Sequence, residues 1–257
     1  MVGKTRSWPV TDFQEISSKP TSGSLRRLVG VKRPSVRCSS IVFRGCPLED
    51  QIIEAIGRFD YPPVTYDFLA GCELSFPSMI DLDHYLQDLL LSGAEDKLKD
   101  GLSGILYWGY YRTPYRDYRV AKFRTEITNA KLHPASTVVR MLDGSSLATL
   151  RDLRLPQFSQ MAFVTKFRTF LDPERYCVLD SKIGKLKFLS CRLKRQRTYI
   201  PINTHNEEVY RLWVDTCGSI AARLQRKLRP VDVERSFFYL LDHNKAAIAD
   251  EYLSSAA

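Results

Sequence analysis

The chain lacks the features that mark membrane and secreted proteins. None of its 257 residues lies in an uninterrupted stretch that approaches the roughly 20 apolar residues of a membrane-spanning helix. Its first 40 residues are basic and polar and contain no apolar core of a secretory signal. We therefore expect a cytoplasmic protein without a membrane partner.

The chain also lacks the residue spacings of metal sites. Its six cysteines are scattered, and no pair has the short gap of a zinc knuckle. No four of them cluster as an iron–sulfur centre requires, and the signature of a zinc deaminase is absent. We expect reduced thiols, several of them buried, and no metal or other cofactor. The cysteines are Cys38, Cys46, Cys72, Cys177, Cys191 and Cys217. The four histidines are equally dispersed and suggest no metal site either; they are His84, His133, His205 and His243.

No alternating strand pattern of convincing length is present, whereas helical periodicity recurs along the chain. The sequence therefore predicts a mostly α fold. A capping box at Thr204–Glu207 predicts the start of one helix, and Pro230 suits the first turn of another. The predicted helices are Pro47–Phe59, Ser78–Leu91, Lys97–Trp108, Val120–Leu132, two short segments between Pro134 and Leu153, Gln160–Phe170, Ser181–Cys191, Thr204–Leu224 and Val231–Asp242.

The chain carries an excess of positive charge. The chain carries 38 Lys and Arg against 29 Asp and Glu, a formal net charge of +9. Such an excess favours a polyanionic partner, because neutralising phosphates releases counterions. Residues 1–44, rich in Ser, Thr, Pro, Lys and Arg, predict a weakly ordered basic N-terminal arm, and residues 45–257 predict a helical domain.

One segment carries most of the functional information. It begins with Leu155-Pro156 in a tight turn, continues through a helix to an Asp172-Pro173 break, and reaches Asp180 at the start of the next helix. This order resembles the helix-hairpin-helix DNA glycosylase superfamily, in particular its bacterial 8-oxoguanine-glycosylase-like branch. The resemblance covers residues 100–240 and implies a two-lobed helical glycosylase-like fold with a divergent helix-hairpin-helix, in a bacterial cytoplasmic protein.

The resemblance also assigns roles. With Leu155-Pro156 on the family's Leu-Pro, the alignment reaches Asp180 without a gap, and Asp180 falls at the catalytic aspartate. The family's lyase lysine falls at Met161, 19 residues before Asp180. Its absence implies a monofunctional glycosylase that leaves an abasic site. Lys166 is the nearest other amine, about 500° around the helix from Met161, and is a possible secondary amine.

The hairpin departs from the family at its glycines, which Gln157 and Ser159 replace. Glycine is favoured there because the turn needs a positive φ and a close approach to phosphate. The expected contacts to the DNA backbone are Gln157, Phe158, Ser159, Gln160, Lys182 and Lys185.

Aromatic and basic residues supply candidates for base flipping and stacking. The expected base-pocket or wedge residues are Tyr110, Tyr111, Arg112, Met161, Thr165, Phe237 and Phe238. A core role competes for both phenylalanines. Asp232 and Glu234 either pair with Arg229 or Arg235 at the helix start or contact a base edge.

Two interpretations of Asp180 remain open. A carboxylate beside C1′ stabilises an oxocarbenium-like sugar and orients the attacking water, whereas an aspartate before a helix also serves as a plain N-cap. The leading hypothesis is a monomeric DNA glycosylase for a damaged or modified base, used in repair or in defence against phage DNA. The alternatives are a non-catalytic DNA-binding module of the same fold and a basic protein-interaction module.

Overall fold

A computed structural model describes residues 47–141, 146–197, 199–224 and 227–256. The chain divides into a unit Met1–Phe43 and a unit Arg44–Ala257. All described residues belong to the second unit, so the expected arm at residues 1–44 lies outside them, as do Cys38 and Cys46.

The prediction of a mostly helical protein is confirmed. The described residues form eleven α-helices and one pair of short strands. In chain order they are α1 (Pro47–Gly57), β1 (Val64–Asp67), β2 (Cys72–Ser75), α2 (Met79–Leu91), α3 (Glu95–Gly109), α4 (Arg116–Glu126), α5 (Asn129–Arg140), α6 (Leu147–Asp152), α7 (Met161–Leu171), α8 (Lys187–Ser190), α9 (Thr204–Arg223), α10 (Pro230–Asp242) and α11 (Ala246–Ala256).

The strand pair corrects the sequence analysis, which found no strand. Strands β1 and β2 are antiparallel, with Val64 opposite Ser75. The connecting turn is held by Asp67, whose carboxylate accepts hydrogen bonds from the amides of Leu69 and Ala70, and Gly71 supplies a positive φ of 73°. Each strand has four residues, too few for a period of two to stand out from the sequence.

Several predicted helices are divided differently in the structure. The helix expected over Val120–Leu132 is two helices, because Ile127 and Thr128 adopt extended backbone between α4 and α5. Both residues are β-branched, which lowers their helix propensity. Helix α5 then continues through Pro134 to Arg140 rather than starting a new segment there.

The segment expected as one helix over Ser181–Cys191 is also broken. It contains a 3-10 turn at Ile183–Lys185 and the single-turn helix α8. Leu186 separates them with an extended backbone (φ −51°, ψ 136°) while its side chain is buried.

The predicted capping box of α9 is wrong. The N-cap is Asn203, whose side chain accepts a hydrogen bond from the Asn206 amide at 2.9 Å. Glu207 instead accepts one from the Leu147 amide, at the start of α6. Asn203 and Thr204 are both good capping residues, so tertiary contacts decide between them.

Helix α3 has a long enclosed stretch, since every residue from Gly101 to Trp108 is buried. It packs against α2, α4, α5, α7 and β1. A Cβ at Gly104 would lie 2.6 Å from Leu86, so glycine permits the close approach of α2. A second group of helices surrounds α10, which packs against α1, α9 and α11.

A buried ion-pair cluster joins the two groups. Asp83 of α2 is fully buried and receives both terminal nitrogens of Arg235 from α10, at 2.6 and 2.9 Å. Arg229, at the start of α10, donates to the same carboxylate at 3.0 Å. Two-point arginine–carboxylate contacts fix orientation as well as distance, so this cluster sets the position of α10 relative to α2.

Candidate active site

A cavity of about 70 Å³ lies between the two groups of helices. It is bounded by the end of α3, the middle of α7, the segment that follows α7, helix α10, and the residues after α1. Four aromatic side chains and four charged ones line it. They are Phe59, Tyr61, Trp108 and Phe238, with Lys166, Asp180, Glu234 and Arg235.

The two carboxylate oxygens of Asp180 have different partners: one accepts hydrogen bonds from backbone amides and the other contacts a lysine side chain. Oδ1 accepts hydrogen bonds from the amides of Lys182 (2.9 Å) and Ile183 (3.0 Å). Oδ2 lies 3.3 Å from Nζ of Lys166. Asp180 thus accepts the amide hydrogen bonds typical of an N-cap, although Lys182 is the N-cap residue of the 3-10 turn, and the carboxylate also lines the cavity.

These contacts stabilise the charged form of Asp180. Burial alone would raise its pKa, but the Lys166 ammonium and the two capping amides outweigh burial and hold the pKa below its ordinary value. Asp180 is thus an ionised carboxylate at neutral pH within a cavity lined by aromatic and charged side chains.

The segment from Cys177 to Asp180 is anchored by buried side chains of α7 and α9. Tyr210 donates to the Cys177 carbonyl at 3.1 Å, and the Trp213 indole donates to the Val178 carbonyl at 3.0 Å. Thr165 accepts a hydrogen bond from the Leu179 amide at 3.1 Å. These bonds hold the extended backbone that delivers Asp180 to the cavity.

Gly109 allows α3 to end close against Phe163 and beside the Lys166 chain. A Cβ on Gly109, the last residue of α3, would lie 2.7 Å from Phe163 and 3.4 Å from the Lys166 chain. The sequence placed Lys166 well away from Met161 around α7, and it lies so in the structure. Met161 is fully buried in the core, whereas Lys166 lines the cavity.

For Glu234 the sequence left two roles open, an ion pair at the start of α10 or a contact to a base edge. Its neighbour Asp232 binds Arg229 at 2.8 Å, but Glu234 is only 4% exposed and lines the cavity. Burial, together with the negative charge of Asp180, raises the pKa of Glu234 to about 8. The helical spacing of α10 could have indicated that Glu234 and Phe238, four residues apart, share one face.

Cations lie over two of the aromatic rings. Nζ of Lys182 is 4.4 Å from the ring centroid of Phe238, and the Arg112 guanidinium is 4.8 Å from that of Tyr61. Both cations also contact the carboxylate of Asp242, and Arg112 lies 3.3 Å from Asp60. This charged network connects the end of α10 to the segments that follow α1 and α3.

In the turn expected to form the hairpin, a positive φ occurs at Gln157 but not at Ser159. Gln157 has a positive φ of 69°, in the region normally occupied by glycine. Its side-chain oxygen accepts from Arg119 at 3.2 Å. The Phe158 amide already donates to the Leu155 carbonyl and the Phe158 side chain is fully buried, while Ser159 and Gln160 are exposed, as is Lys185.

Several expected pocket residues lie elsewhere. Phe237 is fully buried against Trp213 and Tyr252, with ring centroids 5.7 and 6.4 Å apart, so Phe238 alone of the pair lines the cavity. Thr165 supports the backbone before Asp180 rather than lining the cavity. Tyr110 packs on Phe163, with ring centroids 4.5 Å apart.

The remaining expectations concern Tyr111, the thiols and metal ions. Tyr111 lies against Tyr61, with ring centroids 6.4 Å apart. Cys177 and Cys217 are buried free thiols, and Cys72 and Cys191 are exposed ones. Within the described ranges, no group of three or more His, Cys, Asp or Glu residues could hold a metal ion, and no helix is long and apolar enough to cross a membrane.

The cavity thus brings together an ionised carboxylate, an ammonium group, a second carboxyl and stacking surfaces. This set can stabilise positive charge, activate water and hold a flat ring. In comparisons with known proteins, no family model, curated protein or solved structure matches this chain.

Proposed function

We propose that the protein is a DNA glycosylase that receives a flipped-out base in the cavity and hydrolyses its N-glycosidic bond with Asp180. The observation that carries this proposal is the state of Asp180, a carboxylate kept ionised by Lys166 and two amides inside an aromatic cavity. Such a carboxylate stabilises the oxocarbenium-like sugar and takes a proton from the attacking water.

The surroundings of the cavity support a nucleobase as the occupant. The rings of Tyr61 and Phe238 line the cavity, and stacking of a base on an aromatic ring is worth about 1–3 kcal/mol. Lys182 and Arg112 lie beside these rings. Basic groups at this position suit the phosphates that flank a flipped nucleotide.

The arrangement of elements supports the two-lobed fold expected from the resemblance. One group of helices surrounds α3 and the other surrounds α10, with the cavity between them. The turn at Leu155–Gln157 precedes α7, and α7 precedes Asp180, which is the order of a helix-hairpin-helix followed by its aspartate. The positive φ of Gln157 supports a divergent hairpin in which glutamine replaces glycine.

We propose a monofunctional reaction that leaves an abasic site. Met161, at the position of the family's lyase lysine, is a thioether buried in the core. Lys166 lies 3.3 Å from Asp180, so its nitrogen is engaged with that carboxylate rather than free to attack C1′.

The presence of an amine in the same cavity, that of Lys166, supports a second candidate, a glycosylase with lyase activity. Borohydride trapping decides between the two. We expect base release without a trapped covalent complex and without strand scission. A trapped complex that disappears in Lys166→Met and persists in Lys187→Met, a change at an exposed lysine of α8, would establish the lyase instead.

The test of the proposed function is a panel of DNAs incubated with the full chain. The panel contains phage genomes with natural and hypermodified bases and duplexes with oxidised or alkylated bases, and mass spectrometry identifies any released base. A released base would establish the glycosylase, and its identity would distinguish repair from phage defence. Salt-dependent binding without release would favour a non-catalytic DNA-binding module, and absent or salt-insensitive binding a protein-interaction module.

A further inference from the structure

Glu234 occupies a position that the proposed chemistry of Asp180 does not explain. It is 4% exposed, lines the same cavity as Asp180, and accepts a hydrogen bond from the Val178 backbone. The two cations whose charge acts on it are bound elsewhere, Lys166 to Asp180 and Arg235 to Asp83. Among the described residues, Glu234 is therefore a buried carboxyl without an ion-pair partner.

A buried carboxyl without a partner is more stable as the neutral acid, because burial penalises the charge. The other titratable groups near Glu234 are the thiols of Cys177 and Cys217, which carry no positive charge. The pKa of Glu234 is accordingly raised to about 8, whereas that of Asp180 is lowered. One cavity thus holds two carboxyls in opposite protonation states at neutral pH, the arrangement that assigns acid and base roles in other hydrolases.

We infer that Glu234 is a second catalytic carboxyl and donates its proton to the departing base, while Asp180 acts on the sugar and the water. This inference rests on the proposed function and adds to it the group that protonates the base. Glu234 lies one helical turn before Phe238 on α10, so a ring stacked on Phe238 would have its edge near Glu234.

The step balances as a hydrolysis. The C1′–N bond breaks with its electron pair going to the base, and the Glu234 proton goes to the nitrogen or conjugated oxygen that receives this pair. Water adds its oxygen to C1′ and gives one proton to Asp180. The products are the neutral base and the sugar hydroxyl, and transfer of that proton through solvent to Glu234 restores both carboxyls.

A proton donor in the cavity also indicates a class of substrate. A neutral base departs with developing negative charge and benefits from protonation, whereas a cationic N-alkylated purine departs as a neutral molecule. The expected substrates are therefore neutral bases, oxidised or otherwise modified, rather than cationic alkylated purines.

The first arm of the test needs no DNA. In the full chain labelled with ¹³C at glutamate carboxyl carbons, one resonance is expected to titrate near pH 8 and to be missing from Glu234→Gln. Glu208→Gln, the same change at an exposed site on α9, is expected to retain it. If every glutamate of the wild type is ionised at pH 7, the inference is overturned.

The second arm measures single-turnover base release against pH, on a panel that includes duplexes with one 8-oxoguanine and with one 7-methylguanine. The wild-type rate on a neutral base is expected to fall about tenfold per pH unit above pH 8, because the acid form of Glu234 is then lost. Glu234→Gln is expected to be about 10²-fold slower at pH 7 and to lose this alkaline limb. Glu208→Gln keeps both the rate and the limb.

The outcomes separate the inference from the function on which it rests. If the wild type releases a base and Glu234→Gln releases it at the same rate with the same pH profile, only the inference fails. Release of 7-methylguanine alone would also contradict it. If Glu234 is protonated but no DNA on the panel loses a base, the proposed function fails and the inference falls with it.

Discussion

Single residues of the cavity combine structural and chemical roles. One oxygen of Asp180 caps the turn after it and the other meets Lys166, so the side chain is fixed in the orientation that the proposed chemistry needs. Preorganised charge of this kind costs no rearrangement when the reaction occurs. Glu234 lacks such compensation, which makes it the more sensitive reporter of pH.

Replacing Glu234 with glutamine is expected to change how stability depends on pH. Its pKa rises from an ordinary value of 4.5 to about 8 on folding, so the folded state keeps a proton that the unfolded chain loses between these values. Wild-type stability should therefore fall relative to Glu234→Gln as pH rises from about 5 to 8, and the difference should level off above that. Urea titrations across this range measure it, and a difference independent of pH would exclude a neutral Glu234.

The backbone of Gln157 leads to a second prediction at the residue scale. Glycine and alanine at this position both remove the hydrogen bond to Arg119, but only alanine retains the strain of φ 69°. Gln157→Gly is therefore expected to be more stable than Gln157→Ala by about 1 kcal/mol, measured by urea denaturation. Equal stability of the two variants would show that the turn relaxes.

At the scale of elements, the segment between α7 and the 3-10 turn depends on hydrogen bonds from other helices. Thr165→Val leaves the buried Leu179 amide without its acceptor and is expected to cost about 1–3 kcal/mol. Because the segment carries Asp180, base release should slow as well. Thr216→Val removes a similar helical hydroxyl at a more exposed site of α9 and should stay within about 0.5 kcal/mol of the wild type. Equal losses in the two variants would mean that Thr165 has no special role.

Much of the helical framework could be predicted from the sequence, because apolar periodicity and breaks reflect local chemistry. The helices around Ile52, Leu86 and Trp213 follow from such patterns. The strands β1 and β2 could not be predicted, because their pairing depends on contacts across a turn and on packing against α3. The break at Ile127–Thr128 could not be predicted either, because β-branching lowers helix propensity only slightly.

The candidate site also has a part that the sequence predicts and a part that depends on tertiary contacts. Asp180 could be identified from its spacing after the Leu155-Pro156 turn and from its capping position. The approach of Lys166 to Asp180 could not, because it depends on how α7 packs against the segment that carries Asp180. Sequence patterns also could not show which of Phe237 and Phe238 is buried in the core and which lines the cavity, since the two residues are adjacent and of the same type.

At the scale of the whole molecule, the net charge of +9 predicts salt-dependent binding to DNA. Lys185 is exposed at the end of the 3-10 turn that follows Asp180. Lys185→Gln is expected to reduce the slope of log Kobs against log salt by about 1. The control is Lys97→Gln, near the opposite end of α3 and about 18 Å along the helix from Gly109. An unchanged slope for Lys185→Gln would place the DNA on another surface.

The central claim is that Asp180 breaks the bond between base and sugar. The most direct measurement counts abasic sites and released bases from the DNA panel for the wild type, Asp180→Asn and Asp88→Asn. Asparagine caps a helical turn about as well as aspartate, and Asp88 is exposed on α2, so circular dichroism should show all three proteins folded. We expect base release by the wild type and Asp88→Asn, and none by Asp180→Asn, which still binds DNA. Undiminished release by folded Asp180→Asn would contradict the account.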